Sequence, residues 1–347
     1  MPWRLPGHVA QGLPRVVSRI EGFMTARRLP QILLALLLAV GPAGQATADP
    51  FADWLAGLRK QATAEGISQP TLDAAFANLK PIQAVLDLDK NQPEFTLTFA
   101  QYLAKVVTDQ RIARGRELMA EYGPTLDKVA AEFGVQPRFI VALWAVESDY
   151  GRYTGGYSVI AALATLAYGS NRKDFFRKEL IDALRIVDQR NISVALMTGS
   201  WAGAMGQCQF MPSSFRRYAV DFDGDGRRDI WMSQADVFAS IANYLANFHW
   251  RHDQTWGRQV RLPAKFDVRL VDLKSEKPLK EWRRLGLRSL DGSELPAPDM
   301  TASLVAPDGP SGPAYLVYSN YKIVMRWNRS TYFATSVGLL ADQLAGG

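Results

Sequence analysis

Cysteine and histidine, on which many catalytic sites depend, are scarce in this sequence of 347 residues. It contains one cysteine, Cys208, and three histidines, of which only His249 and His252 lie beyond residue 48. One cysteine cannot form an internal disulfide, so the fold must rest on its apolar core. Two histidines without a cluster of further ligands do not form the site of a zinc hydrolase.

Two common catalytic signatures are also missing. The segment GSWAG at 199–203 has its serine in second place, whereas the G-x-S-x-G turn of serine hydrolases has it third. The segment GDGRRD at 224–229 lacks the third glycine of a dinucleotide-binding loop. What remains is chemistry carried by carboxylates.

Long apolar runs are few, and the first of them has the form of an export signal. Two arginines at 27–28 precede nine apolar residues at 32–40, and small residues follow up to Ala48. This order is typical of a secretory signal peptide. Nine residues are too few to cross a bilayer, which takes about 20. We therefore expect residues 1–48 to be a signal peptide cleaved near Ala48, and the mature protein to be periplasmic.

The surroundings of this leader lead to two more expectations. Met24 opens a signal peptide of ordinary proportions, so residues 1–23 are interpreted as an over-extended start. The sequence has no cysteine beside the cleavage site and no other apolar run long enough to span a membrane. We expect a soluble protein without a lipid anchor.

Most of the net positive charge belongs to the leader. The formal charge is +6 at pH 7, and residues 1–48 contain five arginines and one glutamate, which carry four of these charges. The weakly basic remainder gives no reason to expect nucleic acid as a partner. It is compatible with an anionic polymer such as the bacterial cell wall.

The rest of the sequence is dominated by helical periodicity, interrupted once by strand-like runs. Helical patterns cover 51–64, 69–77, 95–122, 177–187, 236–250 and 331–344. Short apolar runs separated by turn-rich segments lie between 258 and 319. The sequence predicts a mainly α protein (α+β class) with a small β-rich insertion. The predicted divisions are an N-terminal helical domain at 49–135, a core at 136–257, the β-rich domain at 258–319 and a C-terminal segment at 320–347 that returns to the core.

Glu147 ends the most apolar run that follows the leader. Eight apolar residues at 139–146 precede it, and it lies three, four and seven residues after Trp144, Leu143 and Ile140. These spacings place it on an apolar helix face, where a carboxylate tends to shift its pKa upward. A carboxyl group that stays protonated near neutral pH is suited to acid catalysis. A glutamate at a helix end that turns to solvent is the alternative.

A second stretch, GSWAGAMGQCQFMPSSF at 199–215, combines glycines with amide and aromatic side chains. Its glycines allow close approach of the backbone to a ligand, and Ser200, Gln207 and Gln209 can form hydrogen bonds there. Trp201 and Phe210 supply flat apolar faces against which sugar rings can pack. A structural turn in a core of small residues is the alternative.

A third stretch, DFDGDGRRDIW at 221–231, crowds four aspartates into nine residues. The spacing matches a calcium loop of the EF-hand type, with its seventh position at Arg227. Met232 occupies the twelfth position, where such loops have glutamate, and Asp236 is the expected substitute. We predict structural Ca²⁺ here; the alternative is a solvated acidic loop. The predicted metal-site residues are Asp221, Asp223, Asp225, Arg227, Asp229 and Asp236.

Together these motifs resemble one family, the B-type lytic murein transglycosylases of bacteria. ALWAVESDYG at 142–151 is similar to the catalytic-glutamate motif of the family, and AALATLAYGSNRKDFFRKEL at 161–180 to a second family segment. The glycine-rich stretch, the aspartate loop, SIANYL at 240–245 and the closing segment from 320 to 344 follow in family order. NQPEF at 91–95 is similar to an early segment. The resemblance covers essentially the whole predicted mature chain.

The resemblance implies a lysozyme-like helical core, peptidoglycan as substrate and no organic cofactor. It makes Glu147 the single acid and base of the reaction. That reaction releases a 1,6-anhydromuramic product and consumes no water. It also implies a set of substrate-binding residues, which are Ser200, Gln209, Arg172, Tyr244, Asn328 and Tyr332. The sequence departs from the family at Lys173, which replaces the second arginine of a pair, at Phe333, which replaces a tyrosine, and at 248–250, where F-H-W replaces H-G-W.

Two other functions stay open at this point. One is a peptidoglycan or chitin hydrolase of similar fold, which would need a second carboxylate. Asp149 is the nearest to Glu147 in sequence, but two residues along a helix place it on a different side. The other is a non-catalytic wall-binding protein stabilised by calcium. The sequence does not indicate which protein partners in wall synthesis or division the chain would have.

Overall fold

The computed structural model describes residues 49–91, 97–296 and 299–346. The predicted leader and most of the NQPEF motif lie outside these residues. In the described part, helices dominate and the strands are short, so the predicted mainly α class is confirmed. The helices are α1 (Pro50–Ala64), α2 (Gln69–Phe76), α3 (Gln83–Lys90), α4 (Phe99–Val106), α5 (Asp109–Glu121), α6 (Gly123–Phe133), α7 (Pro137–Ser148), α8 (Val159–Gly169), α9 (Lys173–Asp188), α10 (Pro212–Tyr218), α11 (Gln234–Asn247), α12 (Leu279–Arg284), α13 (Ser319–Trp327) and α14 (Thr331–Leu344).

Within the described residues, the strands form one two-stranded ribbon and one four-stranded sheet. They are β1 (Tyr157–Ser158), β2 (Thr198–Gly199), β3 (Gly257–Val260), β4 (Lys277–Pro278), β5 (Thr301–Val305) and β6 (Ala314–Val317). β1 pairs with β2, and the sheet has the order β3-β6-β5-β4 with antiparallel neighbours. The register places Val317 opposite both Gly257 and Ser303.

The four-stranded sheet is covered on both faces. Leu304 and Leu316 belong to a small core with Trp282 of α12. Their neighbours Val305 and Tyr315 belong to the main core of the helices. Successive residues of a strand point to opposite faces, so this alternation joins the β-rich insertion to the helical body.

Helix α7 lies at the centre of the main core. Pro137 occupies its first turn, where the missing N–H costs nothing, and every residue from Phe139 to Ala145 is buried. Helices α5, α11 and α14 all pack against it. A helix that is apolar on all sides must be surrounded by protein, which explains the eight-residue run in the sequence.

The prediction of one continuous helix over 95–122 is wrong, because α4 and α5 are two separate helices. Thr108 begins α5 by accepting a hydrogen bond from the Arg111 N–H at 3.2 Å. The Arg111 guanidinium donates to the carbonyl of Val106, which satisfies the end of α4. The short helix α12 lies within the stretch for which only strands and turns were predicted, and helix α13 lies where no element was predicted.

None of the described helices is by itself both long and apolar enough to cross a membrane. Helices α6 and α7 taken together are long and apolar enough for a membrane span, by length and composition only. The two helices are bent by 109° relative to each other.

Candidate active site

Glu147 lies in the last turn of α7 and keeps part of its surface accessible. The Nε1 atom of Trp327 donates a hydrogen bond to Glu147 Oε1 at 2.7 Å. In the described part of the chain, Trp327 is the only hydrogen-bond partner of this carboxyl group. Burial raises the pKa of Glu147 to about 8, although the hydrogen bond from Trp327 acts in the opposite direction. The carboxyl group is therefore protonated at neutral pH and able to act as an acid.

Trp327 ends α13 and forms an aromatic wall beside Glu147. Its ring centroid lies 4.6 Å from that of Tyr244 on α11 and 5.1 Å from that of Phe210. This wall brings together the end of α13, the C-terminal part of α11 and the glycine-rich stretch. Trp327 was not predicted from the sequence, although its neighbour Asn328 was.

The chain leaves α7 through a tight left-handed turn. Asp149, Tyr150 and Gly151 follow one another with φ values of 51°, 61° and 81°. A Cβ atom on Gly151 would lie 2.4 Å from Oε1 of Gln207, so both the space and the conformation require glycine. Ser148 Oγ donates to the Gln207 carbonyl at 2.8 Å. These contacts fix the end of α7, and with it the backbone of Glu147.

The carboxylate nearest to Glu147 in sequence is committed to ion pairs. Asp149 is buried, pairs with the Arg111 Nε atom at 3.1 Å and also pairs with Arg152. The hydroxyl of Tyr150 donates to the Arg111 carbonyl at 2.7 Å, which strengthens the same turn. A buried carboxylate held by guanidinium groups serves the turn and is poorly suited to act as a nucleophile or base.

Helix α4 brings a further aromatic residue to the site. Tyr102 has its ring centroid 5.8 Å from that of Tyr332 on α14. Burial raises the pKa of Tyr102 to about 12, and the negative charge of Glu147 contributes to this rise. Tyr102 therefore lies beside Tyr332, a predicted substrate-binding residue, and nothing in its local sequence had indicated so.

The glycine-rich stretch supplies two of the predicted substrate-binding residues. Ser200 Oγ accepts a hydrogen bond from the Ala204 N–H at 3.0 Å. The Gln209 side-chain amide donates to the carbonyls of Thr154 and Gly206 at 3.0 and 2.9 Å. Its Oε1 atom accepts no hydrogen bond from the described residues and can receive one from a ligand.

Gln207, expected to offer hydrogen bonds to a ligand, instead has a structural position. It is buried; its Oε1 accepts from Trp144 Nε1 and its Nε2 donates to the Trp231 carbonyl, both at 2.8 Å. A buried amide whose groups are paired in this way has no remaining role toward a sugar. Cys208 is also buried.

The other predicted substrate-binding residues lie on three different elements. Asn328 follows α13 directly and accepts a hydrogen bond from the Ser330 N–H at 3.2 Å. Tyr332 is in the first turn of α14, with its hydroxyl 3.3 Å from Asp308 Oδ1. Arg172 precedes α9; it pairs with Asp89 at 3.4 Å and lies over the ring of Phe176.

The aspartate loop brings three of its predicted ligands together. Carboxylate oxygens of Asp221, Asp223 and Asp236 lie within 4.8 Å of one another. Asp236 is fully buried and accepts hydrogen bonds from the backbone N–H groups of Phe222 and Asp229, at 2.8 and 2.6 Å. Three oxygen donors at this spacing fit a hard divalent cation such as Ca²⁺.

The other predicted members of the metal site make different contacts. The carboxylate of Asp225 pairs with the Arg227 guanidinium at 2.7 Å. Asp229 Oδ1 accepts hydrogen bonds from the N–H groups of Trp231 and Met232, at 2.9 and 2.8 Å. These bonds shape the loop around the trio of Asp221, Asp223 and Asp236.

Comparison with protein families decides the class of the chain. The family model described as "Transglycosylase SLT domain" matches residues 50–342. The chain belongs to the transglycosylase SLT family. This transglycosylase is 29% identical over 302 residues to the membrane-bound lytic murein transglycosylase B of Escherichia coli, which covers 82% of this chain and 81% of that protein.

Solved structures agree with this membership. SltB3 from Pseudomonas aeruginosa, crystallised with NAG-anhNAM-pentapeptide, has a TM-score of 0.84 and 44% identity, over 86% of this transglycosylase and 80% of that chain. The Escherichia coli lytic transglycosylase Slt35 in complex with calcium has a TM-score of 0.73 and 28% identity. The match covers 87% of this transglycosylase and 95% of that chain. The predicted family and enzyme class are confirmed. The hydrolase and wall-binding alternatives gain no support.

Proposed function

We propose that this lytic transglycosylase cleaves the β-1,4 bond between N-acetylmuramic acid and N-acetylglucosamine in peptidoglycan, with Glu147 as its single acid and base. The observation that carries the proposal is the isolated carboxyl group of Glu147, which burial keeps protonated and Trp327 holds in place. Asp149 is occupied by Arg111 and Arg152 and offers no second catalytic carboxylate. A site of this kind suits a reaction whose nucleophile belongs to the substrate.

The reaction then has two steps that share one residue. Glu147 gives its proton to the glycosidic oxygen as the bond from the muramic C1 breaks, which releases the N-acetylglucosamine hydroxyl. The ionised Glu147 next accepts the proton of the muramic C6 hydroxyl, whose oxygen bonds to C1 and closes the 1,6-anhydro ring. Glu147 ends protonated, as it began, and no water is consumed.

The substrate-binding roles proposed for the surrounding residues rest on their positions. Ser200 and Gln209 present polar groups from the glycine-rich stretch, and Tyr244 and Asn328 flank Trp327 beside Glu147. Arg172 and Tyr332 are proposed to contact the glycan or its peptide further along the strand.

Product analysis is the direct test of the reaction. Digestion of purified peptidoglycan should give 1,6-anhydro muropeptides, about 18 mass units lighter than hydrolysed forms, because a substrate hydroxyl replaces water. Mass spectrometry distinguishes the two. Muropeptides with reducing muramic ends as the main products would contradict the proposal and favour a hydrolase.

We also propose export of the enzyme to the periplasm, supported by the arginines, the apolar run and the small residues of the leader. The mature protein should begin near Asp49. Mass analysis of the N-terminus of protein recovered from a periplasmic extract checks this. An intact leader on protein that stays in the cytoplasm would contradict it.

A further inference from the structure

Glu179 is a buried carboxylate that the proposed reaction does not use. It lies on α9, where its Oε2 atom accepts a hydrogen bond from the Ser213 N–H at 2.9 Å and its Oε1 atom accepts one from the Ser213 hydroxyl at 2.7 Å. Ser213 is the second residue of α10, so its N–H has no partner within that helix. Met211, which precedes α10, makes no side-chain cap, and Pro212 has no N–H. Glu179 therefore caps α10 from a neighbouring helix.

The stretch that leads into α10 carries Gln209, one of the residues proposed to bind the substrate. Gln209 precedes Ser213 by four residues and has a φ of 49°, which lies in the left-handed region. This conformation is unfavourable for a residue other than glycine and persists only where the surrounding structure enforces it. It sets the direction of the Gln209 side chain, whose amide donates to the carbonyls of Thr154 and Gly206. The position of this amide therefore depends on what holds the backbone around it.

Contacts of two kinds hold that backbone. Met205 and Phe210 exchange backbone hydrogen bonds of 2.8 and 3.2 Å, which close the turn that contains Gln209. The Phe210 ring packs against Trp327, with centroids 5.1 Å apart. Three residues after Phe210, the hydrogen bonds of Ser213 join the same stretch to Glu179 on α9. Gln209 thus lies in a closed turn whose outgoing chain is anchored by the buried carboxylate.

We propose that Glu179 is a positioning residue for substrate binding, which holds Ser213 and thereby keeps Gln209 in its left-handed conformation with Oε1 free to accept a hydrogen bond from the glycan. The inference rests on the proposed function, in which Gln209 contacts the substrate. Without the carboxylate, the N–H and hydroxyl of Ser213 lose their acceptor, and the first turn of α10 can move away from α9. Gln209 can then relax to a right-handed or extended conformation, which turns its amide away from the substrate.

The test is a double-mutant cycle on kcat and KM, measured with soluble glycan strands released from peptidoglycan. Glu179→Ala should raise KM about fivefold, the usual effect of losing one hydrogen bond, and leave kcat within about twofold of the wild type. Gln209→Ala should have a similar effect. The double variant should have the KM of Gln209→Ala alone, because Glu179 acts through Gln209. A general loss of stability would not produce this dependence of one substitution on the other.

Two further substitutions at the same contact sharpen the result. In Glu179→Gln, Oε1 can accept from the Ser213 N–H while Nε2 donates to the Ser213 hydroxyl, so KM should return close to the wild-type value. Ser213→Ala removes one of the two hydrogen bonds and should raise KM by less than Glu179→Ala does. Its effect should also disappear in the Gln209→Ala background, which keeps the proposal testable where Glu179→Ala fails to fold.

Asp188→Ala is the matched control. Asp188 is the last residue of α9 and also binds the start of another helix, α2, by accepting from the Ser68 N–H at 3.2 Å and the Thr71 hydroxyl at 2.7 Å. Its removal should leave KM unchanged.

Independent effects of Glu179→Ala and Gln209→Ala, which would multiply in the double variant, would overturn the proposal, as would a wild-type KM in Ser213→Ala. A wild-type KM in Gln209→Ala would refute the substrate contact and the inference with it. Failure of the proposed reaction is separate, because it appears in the products of the wild-type enzyme.

Discussion

Glu147→Gln should lower kcat on purified peptidoglycan by about 10²–10⁴-fold, the usual contribution of a positioned proton donor. Glutamine keeps the size of the side chain and can still accept the hydrogen bond from Trp327, but it has no proton to give. The fold should persist, because α7 and its packing are unchanged. Measured melting temperatures and turnover of the purified variant check both statements.

The matched control is Glu117→Gln, at an exposed position on α5 where the side chain is 65% accessible. It should retain wild-type activity. The pH profile gives an independent check: since the pKa of Glu147 is raised to about 8, the protonated acid is lost as the pH rises through this value. The kcat/KM of the wild type should therefore hold at pH 7 and fall about tenfold per unit well above pH 8. A Glu147→Gln enzyme with near-normal turnover would remove Glu147 from the mechanism.

Calcium should raise the melting temperature of the wild-type enzyme, and Asp236→Asn should abolish most of that rise. We propose that the cation binds between Asp221, Asp223 and Asp236, whose oxygens lie within 4.8 Å of one another. A ligand that binds only the folded state stabilises it by about 2.7 kcal/mol at 100 times its dissociation constant, or roughly 5 °C for a chain of this size. Calorimetry with added Ca²⁺ and with chelator measures the difference.

Asp253→Asn is the control for a general effect of charge. Asp253 pairs with Arg251, the two side chains being 52% and 55% accessible, and its removal should leave the calcium response intact. Asp223→Ala, which removes a second proposed ligand, should behave like Asp236→Asn. Identical melting curves of the wild type in calcium and in chelator would mean that the loop is only acidic.

Local periodicity made parts of the fold predictable, and the parts that escaped prediction are those that this periodicity does not encode. Helix α14 begins and ends where its periodicity predicted, with Ser330 as a side-chain cap. The break between α4 and α5 escaped prediction, because the Arg111 side chain that stabilises it reaches back across the joint. Helix α12 was missed because six residues give too little periodicity to recognise.

The same distinction applies to the catalytic site. Glu147 could be predicted because the apolar residues around it are its own neighbours on one helix. Trp327 approaches it from α13, and no spacing within that segment indicates this. Gln207 illustrates the same limit, since only the folded chain shows which groups its polar atoms meet.

The hydrogen bond between Trp327 and Glu147 joins residues that are 180 positions apart. During synthesis, α7 emerges long before α13 and α14 exist. A growing chain that has reached α12 holds Glu147 without its indole partner and without the closing helix that packs on α7. We expect the burial that raises the pKa of Glu147 to be complete only after α13 and α14 have been synthesised, so an unfinished chain should lack the proposed acid.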